Sequence, residues 1–98
     1  MDTWEVVKDY DNLRPTYGIY AFTVDDVVVY IGRTKSMWTR IRRHPVLKLL
    51  REQVAEVCVR ISYSLDDYDR EKALIQEYLP HYNCEHRNKW PDNPEYVR

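Results

Sequence analysis

Two tyrosines stand ten positions apart in "GIYAFTVDDVVVYIG" (residues 18–32), each in a short apolar run that also holds one of the chain's only two glycines. Ten residues after Tyr30 comes Arg40, with Arg43 and His44 close behind. On a helix, Arg40 and His44 lie one turn apart and share a face. Guanidinium forks match phosphate oxygens and an imidazole can donate or move a proton, so this trio suits an anionic phosphate. Basic residues on a solvated helix give the same pattern. Glu71 is the other residue out of place. It lies three or four positions from Tyr68, Leu74 and Ile75, so it projects into or beside the apolar stripe of its helix. A carboxylate there is costly unless it is paired or binds a cation. Two roles fit: an ion pair with a nearby arginine, or a single hard oxygen ligand for a metal ion.

The elements that must position these groups follow from pattern. Residues 18–23 and 27–32 are rich in β-branched and aromatic side chains, with Asp25-Asp26 between them, and read as a hairpin. A loop with an odd number of residues, such as Val24–Asp26, pairs Tyr20 directly with Tyr30 on one face, whereas a two-residue loop turns them to opposite faces. The odd loop is the expectation. Ser36 caps a short helix over 37–44, and Pro45 opens a second over 45–53. Residues 55–63 alternate, with Val57, Val59, Ile61 and Tyr63 on one side and Cys58, Arg60 and Ser62 on the other, as in a strand with one buried face. Asp66 or Asp67 caps a helix running to Leu79, where Pro80 ends it. The remainder reads as an irregular tail. The order β-β-α-α-β-α implies an α+β fold, a small antiparallel three-stranded sheet flanked by helices.

Ninety-eight residues form one domain with a single modest core. No run approaches the roughly 20 apolar residues that span a bilayer. The N-terminus lacks the basic start and apolar stretch of a signal peptide, so an intracellular protein is expected, with Cys58 and Cys84 as free thiols. The net charge of −1 argues against a nucleic-acid partner, but its distribution argues the other way. Between Ile31 and Arg51 there are seven basic residues and no acidic one, so the other 77 residues carry 8 basic against 16 acidic side chains. Such segregation creates a local positive field whatever the total charge.

Taken together, "GIY" at 18–20, "YIG" at 30–32, "RTK" after it, "RIRRH" at 40–44, the glutamate at 71 and "HYN" ending at Asn83 resemble the GIY-YIG nuclease domain. The resemblance covers about residues 17–84 within a single domain spanning 1–98. It implies a metal-dependent DNA endonuclease that hydrolyses phosphodiesters, leaving 5′-phosphate and 3′-hydroxyl ends. By this resemblance Tyr20, Tyr30, Arg40, His44 and Glu71 are catalytic. Glu71 would hold one Mg²⁺ or Mn²⁺, and Asn83 would close the site. Arg33 falls where some members carry lysine, and with Lys35, Arg43 and Asn83 it would bind substrate. Arginine keeps the charge there but effectively cannot lose a proton, so Arg33 should not act as a base. A phenol titrates near pH ~10 in water, and Arg33, Arg40 and the metal are expected to bring it toward useful range. Tyr20 is then the expected general base, with Tyr30 placing the water or sharing the role, and Arg40 stabilising charge on the phosphate.

Two other readings compete. An inactive or partner-dependent nucleic-acid-binding module on the same fold would have lost the arginine or the glutamate, and both are present. A zinc-binding domain built on His81, Cys84 and His86 lacks a fourth ligand. Trp4, Trp38 and Trp90 can stack on bases, but anchoring core and tail is the expected use. The residues flanking the module are too few for an added DNA-binding domain. Specificity is therefore expected from the module surface, a homo-oligomer or a separate specificity subunit, with no membrane involved.

Overall fold

The computed structural model describes residues 4–53, 56–63 and 68–83. Its strands are β1 (Glu5–Val6), β2 (Gly18–Val24), β3 (Val27–Thr34) and β4 (Cys58–Tyr63), and its helices α1 (Met37–Arg42), α2 (Pro45–Gln53) and α3 (Tyr68–Tyr78). The strands form one antiparallel sheet in the order β1-β4-β2-β3. Among the described residues the sheet thus has four strands, not the expected three. The extra one is the two-residue β1, which pairs with β4 through Glu5–Ile61 and Val6–Arg60. So short a segment carries no alternation to read.

Helices cover both faces. Tyr20, Phe22, Val59 and Ile61 pack with Met37, Ile41, Val46, Leu47 and Leu50 from α1 and α2. On the other face Ile19, Ala21 and Ile31 pack with Trp4 and with Ile75 of α3. Being covered on both sides explains why central strand β2 reads as a nearly continuous apolar run. In β4 the expected alternation holds, and Val57, Val59, Ile61 and Tyr63 all join the α1/α2 side.

The hairpin departs from expectation in a way that matters for the site. Its loop is the two residues Asp25 and Asp26, both left-handed (φ 51° and 64°), which close Val24 against Val27. A two-residue loop alone would turn the tyrosines apart. Between Phe22 and Thr23, however, the register shifts by one residue of β3, so that Thr23 faces Val28 while Phe22 faces Tyr30. This bulge restores the lost parity. Tyr20 and Tyr30 share a face, but they do not pair directly: Tyr20 is opposite Gly32 and Tyr30 is opposite Phe22.

Helix α1 ends at Arg42 rather than 44, leaving His44 in the joint before Pro45. Ser36 caps its start, accepting from the Thr39 N–H. Helix α3 ends at Tyr78, one residue early, with Leu79 left-handed (φ 46°) ahead of Pro80. Tyr78 is exposed, so the apolar stripe of α3 is narrower than expected and centres on Ile75. The caps assigned to Asp66 or Asp67, the Tyr68 side chain, and Cys84, His86 and Trp90 of the tail lie outside the described residues. Among those described, no helix is long and apolar enough to cross a membrane.

Candidate active site

On the α1/α2 face the rings of Tyr20 and Tyr30 stack with centroids 6.1 Å apart, and Phe22 lies 5.5 Å from each. The His44 ring meets all three edge-on, at 4.8–5.4 Å. Phe22 was not among the expected site residues, although it stands two positions from Tyr20 on the same side of the strand. Gly32 has a steric reason. A Cβ there would lie 2.5 Å from Cζ and Oη of Tyr20, so the Tyr20 ring covers the strand only because residue 32 has no side chain. Neither glycine has a positive φ, so the frames GIY and YIG demand space, not conformational freedom.

The hydrogen bonds give each polar group a direction. The Val46 N–H donates to Nδ1 of His44 (3.2 Å), which makes Nδ1 the acceptor and leaves the proton on Nε2. Nε2 then donates to the Tyr20 oxygen (2.9 Å), and Nε of Arg40 donates to the same oxygen (3.2 Å). With its oxygen accepting twice, the Tyr20 hydroxyl keeps its own proton to donate, and the neighbouring phenol is Tyr30, stacked on it. The Arg40 charge also lies close enough to favour the Tyr30 phenolate. The cluster runs inward to outward, from a neutral imidazole through a buried phenol to a half-buried one.

Burial dominates the protonation states. It raises the Tyr20 phenol far above its ordinary range; Tyr30 adds to the rise and Arg40 opposes it. Burial also raises Tyr30, with Arg40 and Tyr20 pulling it back and the Glu71 charge pushing it up. His44, only 3% exposed, is lowered to about 3 by burial and then by the Arg40 charge. The expectation that arginines bring the phenols into useful range is therefore reversed here. Arg40 acts in that direction but is outweighed by desolvation, and Arg33 is on the far face of the sheet, opposite Ile19.

Both roles weighed for Glu71 concern a residue that is 7% exposed, in the first turn of α3 beside Ile75, where the helix dipole favours a carboxylate. Its Oε1 is 3.4 Å from Nε of Arg33, so the ion pair is present. Glu71 and the phenols occupy opposite sheet faces, and the Glu71 charge reaches Tyr30 on β3, an edge strand. Asn83 covers that strand's outer edge. Its Oδ1 accepts from the Ile31 N–H (2.8 Å), its Nδ2 donates to the Ile31 carbonyl (2.7 Å), and the Tyr82 N–H donates to the Val29 carbonyl (2.9 Å). One side-chain amide thus completes an edge that would otherwise be buried unsatisfied.

Lys35 and Arg43 are exposed at the two ends of α1. Arg42 lies over the exposed Trp38 ring at 4.6 Å and pairs with Asp11, whereas Trp4 is in the core. His81 is exposed, and its partners in the zinc reading lie outside the described residues. Among the described residues no three His, Cys, Asp or Glu side chains converge as a metal cage. The donor set is one buried carboxylate beside a solvent-facing arginine. It fits a hard cation that keeps several of its waters, as Mg²⁺ does, and does not fit a fully protein-ligated ion.

The fold is that of the GIY-YIG endonuclease domains. The similar solved structures are of the N-terminal GIY-YIG endonuclease domain of UvrC from Thermotoga maritima. The form bound to magnesium as its catalytic divalent cation is 26% identical to this chain, with TM-score 0.63, and the match covers 79% of this chain and 93% of that one. A tyrosine-to-phenylalanine mutant bound to the cation has 23% identity and TM-score 0.64, covering 78% and 91%. An asparagine-to-alanine mutant has 22% identity and TM-score 0.65, covering 80% and 93%. No protein-family model and no curated protein matches the sequence.

Proposed function

We propose that this protein is a metal-dependent DNA endonuclease that hydrolyses one phosphodiester per event, with Tyr30 as the base that takes a proton from the attacking water. The observation that carries the assignment is the directed network in which His44 and Arg40 both donate to the Tyr20 oxygen, with Tyr30 stacked beside it. Tyr20 was the expected base, but it is 1% exposed and its oxygen already accepts from two donors. Tyr30 is half-buried on the outermost strand, and as a phenolate it would be held by the Tyr20 hydroxyl and by Arg40. Both would stabilise its charge.

Each remaining group then has a local task. His44 stays neutral and fixes the Tyr20 oxygen, so that Tyr20 keeps its proton to donate to Tyr30. Arg40, exposed and still anchored on the Tyr20 phenol, presents its charge to the phosphate as negative charge develops there. Asn83 holds the strand that carries Tyr30. Glu71 would hold one Mg²⁺ or Mn²⁺, which supplies Lewis-acid stabilisation of the phosphate and the leaving oxygen. Lys35 and Arg43 extend the positive surface along the DNA backbone, which suits contacts that position the substrate rather than read its sequence. Specificity would rest on the module surface, a second copy or a separate subunit.

Single-turnover cleavage of end-labelled linear and branched duplexes with Mg²⁺ or Mn²⁺ tests this reading. Wild type is expected to cut. Tyr30→Phe should lose roughly 10²- to 10⁴-fold in rate, the usual worth of a general base. Tyr20→Phe should lose less, because it removes a hydrogen bond to the base and not the base itself. A larger loss in Tyr20→Phe than in Tyr30→Phe would return the role of base to Tyr20. Failure of the folded wild type to cut any substrate would favour the binding module.

A further inference from the structure

The ion pair on the α3 face bears on how a metal ion enters. Glu71 is nearly buried, and an unpaired carboxylate in that position would cost several kcal/mol of desolvation. Its Oε1 lies 3.4 Å from Nε of Arg33, the inner nitrogen of the guanidinium. A charge-assisted bond is normally about 2.7–2.9 Å, so this contact is long. The two side chains are unequal as well: that of Arg33 is 45% exposed and that of Glu71 is 9% exposed. The carboxylate sits in the packing, while its counter-ion reaches solvent.

We infer that Arg33 is an internal counter-ion standing in for the metal at Glu71, and that a divalent cation must displace it to bind. This rests on the reading of Glu71 as the metal carboxylate. The pair keeps Glu71 compensated, and the protein folded, in the absence of metal. The same positive charge opposes an incoming cation, so it weakens metal binding and confines it to ions that carry two charges into the site. Arginine suits this task better than a lysine would, because it keeps its proton, and so its charge, beside the carboxylate. Of the ion pairs Arg33–Glu71, Arg42–Asp11 and Arg60–Asp26, only the first holds a buried carboxylate. Arg40 is tied to the Tyr20 phenol and Arg42 to Asp11.

Calorimetric titration of Mn²⁺ into EDTA-stripped protein tests the inference, with thermal unfolding measured in EDTA and in Mn²⁺ alongside. Arg33→Met should bind Mn²⁺ about three- to tenfold more tightly than wild type, equivalent to ~0.6–1.4 kcal/mol. It should also unfold at a lower temperature in EDTA and gain more from Mn²⁺ than wild type does, since a tighter ligand stabilises more at equal concentration. Arg33→Gln serves if the methionine variant does not fold, with the same expectation. Equal or weaker Mn²⁺ binding in the Arg33 variants, with binding lost in Glu71→Gln, overturns the counter-ion role and leaves the metal reading intact. Wild-type affinity retained in Glu71→Gln overturns both.

Discussion

At His44 a single residue links stability to pH. Its imidazole is enclosed by Tyr20, Phe22 and Tyr30, uses one nitrogen on the Val46 amide and the other on the Tyr20 oxygen, and titrates near 3. In the unfolded chain a histidine titrates near ~6.5, so between those values the unfolded state binds a proton that the folded state does not. The contribution is therefore complete above about pH 6.5 and is lost as the pH falls, by up to roughly 1.4 kcal/mol per unit. Urea denaturation should show about 2 kcal/mol less stability at pH 5 than at pH 7.5 from this residue. His44→Gln should remove that portion of the slope; an unchanged slope would mean that His44 already takes up a proton in the fold. At this scale much was legible. The residue types and their spacing singled out Tyr20, Tyr30, Arg40, His44 and Glu71, and the structure gathers the first four into one cluster, with Arg40 and His44 bonded to Tyr20 and Tyr30 stacked on it. The tautomer of His44 was not legible, because it is set by a backbone amide, and every residue has one.

The hairpin shows why faces were harder to read than elements. Both strands fall where the β-branched and aromatic runs place them, yet the facing of Tyr20 and Tyr30 depends on a turn of two and a bulge of one, which offset each other. A three-residue loop gives the same parity, so the expected outcome arrived by a different route, with Tyr20 over Gly32 instead of over Tyr30. The turn itself holds Asp25 and Asp26 at positive φ, a region that asparagine and glycine enter more cheaply. Asp26→Gly relieves a left-handed residue worth about 1–2 kcal/mol, against a glycine entropy cost of about 0.5–1 kcal/mol. The Arg60 pair it removes is 3.9 Å long with Asp26 almost fully exposed, and weighs little. The balance is a gain of about 0.5 kcal/mol, read as a midpoint roughly 2–4 °C higher in thermal unfolding. A lower midpoint would show that the Asp26 side chain is needed by the turn. Helix ends were off by one or two residues for local reasons: His44 leaves α1 to reach Tyr20, and Leu79 turns left-handed before Pro80.

Across the whole molecule, the sheet separates the phenols from the carboxylate, and the site forms around its outermost strand. The pattern of α3 placed Glu71 toward the core, but no periodicity tells which sheet face a helix will cover. Asn83 makes the arrangement possible by closing the β3 edge with its own amide, leaving the Tyr30 region as the place where both faces meet. The basic segment between Ile31 and Arg51 supplies the end of β3, α1 and most of α2, so the positive charge of a chain with net charge −1 is concentrated in these elements. The account stands or falls on whether this edge cuts DNA. The measurement is conversion of supercoiled plasmid in Mg²⁺ by wild type, run beside Glu71→Gln and beside wild type in EDTA. Nicked or linear product from wild type alone is the predicted result. Intact plasmid with folded wild type, or equal cutting by Glu71→Gln, would contradict it.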